Sequence, residues 1–396
     1  MLDLTAFDAV LKYKMIGPIQ KQFPEGLVLL NRIRRTGDHI DGSGRNVRIP
    51  VLLGLSQAIG ARAEDATLPT AAASRYVESV TTLKHNYGSI KVGGPTIRAS
   101  KGNAAAFVAA VTSEIENMML SFKQDINRQL FGYGTGALCL TTGAASGQTL
   151  TVDTPGAQYI KVGMLLDAYT SGGTAHATSI EVESVNEDTN VITFTAASTL
   201  TSVVENDILY RAGSRNIENM GLRGIIDDDT LLSSLQSIDS GTYTDWQGKV
   251  YDAAGTNRTM TLKLIQQASS HAEKQGRGPT GIVGSYNMRD KYVDLLVADK
   301  RFVNTLKLDG GFSAVEYNGK PIIPDADAYP NTFFMMNEPL LAIVETGPPN
   351  WAQEDGSILH KVSQKDTYEA DLYWDSEFVC KRRNAQVILG DITETV

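Results

Sequence analysis

Residues 103–131, NAAAFVAAVTSEIENMMLSFKQDINRQLF, form the stretch that decides the fold. Apolar side chains recur there at spacings of three and four, the period of one helix face, without a glycine or proline. They are Phe107, Val108, Val111, Ile115, Met118, Met119, Phe122, Ile126 and Leu130. The pattern predicts a helix of roughly 28 residues, about 42 Å long at about 1.5 Å per residue. A helix of this length can serve as a rigid support, and we expect the other segments to be arranged around it.

Two extended segments precede this helix. Residues 1–44 predict an N-terminal arm, because they hold too few apolar side chains for a core of their own. Residues 45–97 predict an extended β-hairpin loop, with one strand at 46–53, an Ala-, Gly- and Thr-rich tip at 54–73, and a return segment at 76–92. A tip of this length is unusual inside a compact domain. We therefore expect the hairpin to lie against another subunit.

The segments around and after the helix differ in character. Residues 98–136 hold the helix and a glycine-rich end. Residues 137–213 combine Thr, Ser, Gly and Ala with short apolar alternations, which predicts a small all-β barrel or sandwich inserted into a parent domain. Residues 214–396 resume that parent domain with mixed helices and strands. One of its hairpins turns at Asn318-Gly319, a type I′ signal. The fold class is therefore α+β.

Composition and charge limit the functions. The chain of 396 residues is 42% hydrophobic and 20% charged, as in an ordinary globular protein. It has no apolar run long enough to span a bilayer, and acids precede any apolar core at the N-terminus, unlike in a signal peptide. Cys139 and Cys380 are far apart in sequence, so we expect two free buried thiols in a reducing compartment. Synthesis in a cytoplasm, with no membrane partner, is the expectation.

Charge is unevenly distributed. Of the net charge of −9, residues 137–213 hold −6, whereas the first 48 residues carry eight bases against five acids. An acidic chain argues against tight nucleic-acid binding as its main task. The basic cluster Arg32, Arg34 and Arg35 could touch phosphate, or it could belong to a salt-bridged arm lying on a neighbouring subunit. Both interpretations stay open.

No catalytic constellation emerges from the residues. The sequence has no GxSxG elbow, P-loop or HExxH motif, and its five histidines are not at metal-ligand spacing. The run GYGTGA at 132–137 follows a helix instead of a strand, so a helix stop and hinge are favoured over a nucleotide site. The acid run 227–229 could hold a cation, but a solvated turn with capping acids is favoured. We therefore predict no catalytic, metal or cofactor-binding residues, and no enzyme.

The order of these parts resembles the major capsid protein of tailed bacteriophages, which has the Hong-Kong-97-type capsid fold. The stretches NVRIPVLLGLSQAIGARAEDATLP (46–69) and RYVESVTTLKHNYGSIKVGG (75–94) look like its extended loop, and 104–131 like its spine helix. Residues 281–296 and 315–341 look like its axial domain. The ending EADLYWDSEFVCKRRNAQVIL (369–389) looks like the strand pair that closes the fold. The resemblance covers nearly the whole chain except 137–213.

The resemblance implies a structural subunit that self-assembles as pentamers and hexamers into an icosahedral or prolate head around double-stranded DNA. Its partners would be further copies of itself, a portal, an optional decoration protein and DNA held by non-specific contact. It would be located in the virion after synthesis in the host cytoplasm. Glycine hinges would flank the spine helix and let it tilt: Gly93, Gly94, Gly132, Gly134 and Gly136. Candidate contacts between subunits are Arg32, Arg34, Arg35, Arg62 and Glu64.

Two departures from relatives modify these expectations. Some relatives join subunits through a lysine in the extended loop, but no lysine lies between Val51 and Leu83, and Lys84 and Lys91 sit on the return segment. Some carry a cleaved N-terminal scaffold, but here the strand before the loop starts near residue 46. We therefore expect a separate scaffolding protein or an already processed chain, and the initiating methionine favours the former. By its charge, the inserted module is expected on the outer face. An encapsulin-like cellular shell, a tail-tube component and an unrelated enzyme remain alternatives.

Overall fold

A computed structural model describes residues 27–95, 104–153, 156–275, 278–298, 305–307, 313–352 and 359–394. Expectations for residues 1–26 lie outside this part of the chain. The described residues contain five α-helices: α1 Val28–Arg32, α2 Ala104–Gln129, α3 Leu222–Ile225, α4 Leu262–Lys274 and α5 Tyr286–Ala298. None of these helices combines the length and apolar character that crossing a membrane requires.

Strands dominate the described chain and fall into three sheets and two hairpins. The first half of the chain contributes β1 Arg35–Thr36, β2 Asn46–Gly54, β3 Arg75–Thr82, β4 Lys84–Gly93, β5 Ala137–Leu140, β6 Thr149–Thr151, β7 Leu165–Tyr169, β8 Ala175–Asn186, β9 Val191–Phe194 and β10 Ile208–Arg211. The second half contributes β11 Ser234–Leu235, β12 Ile238–Asp239, β13 Lys249–Tyr251, β14 Gly281–Gly284, β15 Thr305–Lys307, β16 Ser313–Tyr317, β17 Lys320–Pro324, β18 Phe333–Met336, β19 Leu341–Glu345, β20 Asn350–Trp351, β21 His360–Lys361, β22 Thr367–Cys380 and β23 Val387–Leu389.

The long helix packs on a sheet that we call the spine sheet, made of β1, β4, β19, β20, β21 and β22. The face of α2 that the periodicity predicts is the one that packs: Phe122 and Ile126 are buried, and the Phe122 ring meets Trp374 of β22 edge-on at 6.5 Å. Gly88 of β4 lies under Met118, so the helix approaches the sheet closely. Burying one such aromatic side chain contributes about 2 kcal/mol.

The axial sheet has the strand order β13-β23-β18-β14-β17-β16-β15 and carries α4 and α5. Thr261 caps α4 by accepting a hydrogen bond from Leu264 N, and Ser285 Oγ accepts one from Met288 N at the start of α5. The β16–β17 hairpin turns at Asn318-Gly319, both with positive φ. That geometry is the type I′ turn that the sequence predicts.

Residues 137–211 form a sheet of their own, in the order β5-β10-β7-β8-β9-β6. The two ends of this order meet through the bridge between Thr141 and Val152, next to β5 and β6, so the sheet closes into a small barrel. Sixteen buried apolar residues fill it as a separate cluster, among them Leu166, Ile192 and Phe194.

Two sequence expectations about strand pairing are wrong. The return segment 76–92 is not one strand: β3 pairs with β2, whereas β4 pairs with β22 in the spine sheet. The chain changes sheet at the buried Leu83, and the side-chain alternation shifts there. The closing strands do not form a pair either, because β22 lies in the spine sheet and β23 in the axial sheet. Local patterns do not encode partners that are hundreds of residues away.

Candidate functional site

The base of the extended hairpin β2–β3 is anchored on its own chain. Val80 N donates to Gln236 O at 2.9 Å, and Ser237 Oγ donates to Val80 O at 2.9 Å. One face of β2 is buried in the main core; its residues are Val47, Ile49, Val51 and Leu53. The expectation that the hairpin lies against another subunit therefore does not apply to its base, because four alternating apolar residues already pack within the chain.

The tip between β2 and β3 is different, because it exposes large apolar side chains. These are Leu55, Ile59 and Leu68, with exposed fractions of 72%, 78% and 78%. Three such side chains within a single loop leave apolar area in water that a contact would bury. Arg62 and Glu64, two of the candidate contacts, lie on the same tip and are exposed. Arg62 Nε donates to Thr67 O at 3.1 Å, which helps to order the loop.

No described residue covers the face of the spine sheet opposite to α2 around Tyr87 and Tyr373. Tyr87 and Tyr373 are cross-strand partners on it, 73% and 40% exposed. His85 Nδ1 contacts Asp375 Oδ1 at 2.7 Å, and the His85 ring stacks near Tyr87 at 6.5 Å. These side chains line an open depression of about 640 Å³, completed by Gly88, Ser89, Ala352 and Asp371. The depression can accept an apolar or aromatic surface with polar edges.

The arginines of the arm make contacts within the chain. Arg32 Nε lies 2.6 Å from Glu338 Oε1, and the Arg35 guanidinium lies over the Trp374 ring at 5.6 Å. Arg34 is exposed and lies 3.7 Å from Asp38, and an exposed ion pair of this kind contributes little to stability. Arg34 is therefore the arm arginine that remains most available to an outside partner.

The candidate hinge glycines lie where α2 joins its neighbours. Gly93 ends β4 and Gly94 follows it, whereas Gly132, Gly134 and Gly136 follow α2. Gly136 has φ +77°, and a Cβ there would come 2.7 Å from a backbone carbonyl oxygen. That position requires glycine in the observed conformation, whatever its role in movement.

The acid run and the cysteines are the remaining residues that the sequence singles out for chemistry. The described residues contain no group of three or more His, Cys, Asp or Glu side chains that could hold a metal ion. Within the acid run, Asp227 is buried and accepts from the backbone N–H groups of Asp229, Leu231 and Leu232. It is thus a turn-capping residue, although a buried one instead of the solvated turn that the sequence predicts. Both cysteines are free and buried, as expected, and burial raises the pKa of Cys380 to about 12.

Comparisons with known proteins agree on the architecture. The alignment with a chain of the cyanophage A-1(L) capsid asymmetric unit covers 96% of this chain and 95% of that chain, with 13% identity and a TM-score of 0.59. The alignment with a chain in the capsid of an empty GTA particle covers 99% of each chain, with 10% identity and a TM-score of 0.51. This chain has the Hong-Kong-97-type capsid fold. The alignment with a chain of the holo-SrpI encapsulin complex from Synechococcus elongatus covers 100% of this chain and 97% of that chain, with 12% identity and a TM-score of 0.49. No family model and no curated protein matches the sequence.

Within the capsid fold, sequence reasoning located the exposed tip but missed the open sheet face. Tyr87 points to solvent because the side-chain alternation shifts at Leu83. One tyrosine, Tyr373, lies beside acidic residues in EADLYWDSEF and carries a weak signal of an amphipathic surface, but only the pairing of β4 with β22 brings Tyr87 and Tyr373 together.

Proposed function

We propose that this chain is the structural subunit of a tailed-bacteriophage head, assembling as pentamers and hexamers into a closed shell around double-stranded DNA. The observation that carries the proposal is a capsid fold whose alignment covers 96% of the chain, together with an exposed apolar tip on the described residues. A soluble enzyme gains nothing from three uncovered aliphatic side chains on one long loop. In a shell subunit these side chains can form a contact with a neighbouring subunit.

In this proposal the tip packs on the spine sheet of a neighbouring copy. The tip supplies Leu55, Ile59 and Leu68, and the sheet supplies the paired rings of Tyr87 and Tyr373. One ion pair that this contact allows is Arg62 of the tip with Asp371 or Asp375 of the depression, while the acids Glu64 and Asp65 of the tip would have to lie away from these carboxylates. Both surfaces are open on the single subunit, so one contact would cover both.

The other expected features enter the proposal with one change, which is that Lys84–Gly93, within 45–97, belongs to the spine sheet instead of the extended hairpin. The division at 1–44, 45–97, 98–136, 137–213 and 214–396 describes the arm, loop, spine, inserted barrel and axial parts. The barrel is placed on the outer face, because a net charge of −6 suits solvent better than a wall facing DNA. The five hinge glycines would let α2 tilt between five-fold and six-fold settings. A separate scaffolding protein, a portal and an optional decoration protein complete the expected partners, with location in the virion.

Engineered disulfides test the contact. Ile59→Cys and Tyr373→Cys introduce one thiol on each surface, and both native thiols are buried. Mild oxidation of assembled material should give covalent ladders only when both changes are present in the same chain, and dissociated subunits should give none. As a control, Val162→Cys replaces Ile59→Cys on an equally exposed barrel residue. Ladders that are as strong in the control, or absent from the double variant in assembled particles, would contradict the proposed contact.

A further inference from the structure

The short helix α1 of the arm depends on other parts of the chain for its capping. A helix of five residues is not stable alone, and its first N–H groups need acceptors. Its N-cap residue, Leu27, makes no side-chain capping hydrogen bond. Leu29 N donates to Asp325 Oδ2 at 3.1 Å, and Leu30 N donates to Asn127 Oδ1 at 3.1 Å. The arm is therefore clamped by one residue from α2 and one from the loop after β17.

A second carboxyl group shares the same clamp. Asn127 Nδ2 donates to Asp325 Oδ1 at 3.0 Å and to Asp327 Oδ2 at 2.7 Å, so a single amide bridges two acids. Asp327 N also donates to Asp325 Oδ1 at 3.0 Å. Asp325 is 1% exposed. Two carboxylates held this close in a buried site repel one another unless one of them is protonated.

The cations nearest to this pair are engaged elsewhere. Arg128 of α2 pairs with Glu218 at 2.6 Å and with Asp125 at 3.1 Å. Lys161 of the barrel is mostly exposed and pairs with Glu187 at 3.4 Å. From the barrel side, the Tyr159 hydroxyl donates to the backbone oxygen of Asp327, not to its carboxylate. The negative charge of the pair is thus only weakly compensated.

We propose that Asp325 and Asp327 form a proton-controlled clamp that sets how firmly the N-terminal arm is held on α2 and the axial part. Burial raises the pKa of Asp327 to about 6 and also raises the pKa of Asp325. The N–H groups of Val28 and Leu29 act in the opposite direction and lower the pKa of Asp325. When the arm leaves and water enters the clamp, the burial that raises both pKa values is lost, and both groups return toward their ordinary value of 3.8. The clamped state then binds protons more strongly, so clamping is favoured below about pH 4 and weakens as pH rises through about 6. The device is independent of any shell function.

Hydrogen–deuterium exchange on the full-length chain tests the clamp. Protection of the amides in 27–33, corrected for intrinsic exchange, should be about tenfold greater at pH 5 than at pH 7.5, given a clamped pKa near 6. Equal protection at the two pH values would overturn the proposal, and this comparison needs no variant. Light scattering at each pH verifies that the assembly state is the same.

Two variants separate the clamp from a general loosening. Asp327→Asn keeps an acceptor for Asn127 but cannot ionise, so the tenfold ratio should fall to about twofold or less. Glu338→Gln weakens the other anchor of α1, the ion pair with Arg32. This variant should lower the protection of the amides in 27–33 at both pH values and leave the ratio between pH 5 and pH 7.5 unchanged. A ratio that survives Asp327→Asn, or that disappears in Glu338→Gln, would refute the assignment of the proton to this pair.

Discussion

Replacing the apolar side chains of the tip by serine should prevent assembly without unfolding the subunit. The triple variant Leu55→Ser, Ile59→Ser, Leu68→Ser removes side chains that are 72–78% exposed. Burying each fully contributes about 1.5–3 kcal/mol, so a contact that covers them gains about 1–2 kcal/mol from each and about 4 kcal/mol from the three. At about 1.4 kcal/mol per factor of ten, each subunit contact should weaken by about a thousandfold.

The assay is light scattering against protein concentration, followed by electron microscopy of the products. The wild-type chain should form large particles above a threshold concentration, and the tip variant should stay as small oligomers far above it. Its thermal unfolding should match that of the wild type, because the three residues lack core contacts. A matched control changes exposed barrel residues instead, Val162→Ser and Val204→Ser. Assembly of the tip variant at the wild-type threshold would refute the reasoning.

Three further predictions concern the subunit itself. Arg383 is fully buried and donates hydrogen bonds to two backbone carbonyl oxygens and a hydroxyl. Arg383→Met should therefore lower the free energy of unfolding, measured with denaturant, by about 3–5 kcal/mol. Arg382→Met, at an exposed position, should lower it by less than about 1 kcal/mol. Gly136 and Gly163 have similar positive φ values, but a Cβ at Gly136 would meet a backbone oxygen at 2.7 Å, whereas a Cβ at Gly163 would meet open space. Gly136→Ala should therefore lower the free energy of unfolding more than Gly163→Ala, and equal losses would contradict the argument from this contact. Burial raises the pKa of Glu377 to about 7, so its contribution to stability should fall as pH rises from about 4.5 to about 7. Glu377→Gln should abolish that part of the pH dependence of the melting temperature, and an unchanged profile would contradict it.

The elements that sequence predicts best are those with a strong local period. The spine helix was expected at 103–131 and is observed at Ala104–Gln129, because one unbroken apolar face of three- and four-residue spacing determines it. The Asn318-Gly319 turn is equally local, since only residues that tolerate positive φ form it easily.

What sequence could not predict depends on contacts between distant residues. Nothing in KHNYGSIKVG indicates that β4 pairs with β22, about 280 residues later, instead of continuing β3. The clamp around α1 joins Leu29, Asn127 and Asp325 from three separate segments, and none of them belongs to a motif. The open tyrosine face follows from the same long-range pairing. The tip was accessible to sequence because its composition is locally unusual.

The most direct test of the central claim is negative-stain electron microscopy of the purified chain, expressed together with its neighbouring genes. The account predicts closed angular particles, or open sheets of hexameric rings. Uniform monomers or dimers at high protein concentration would contradict a shell-forming subunit.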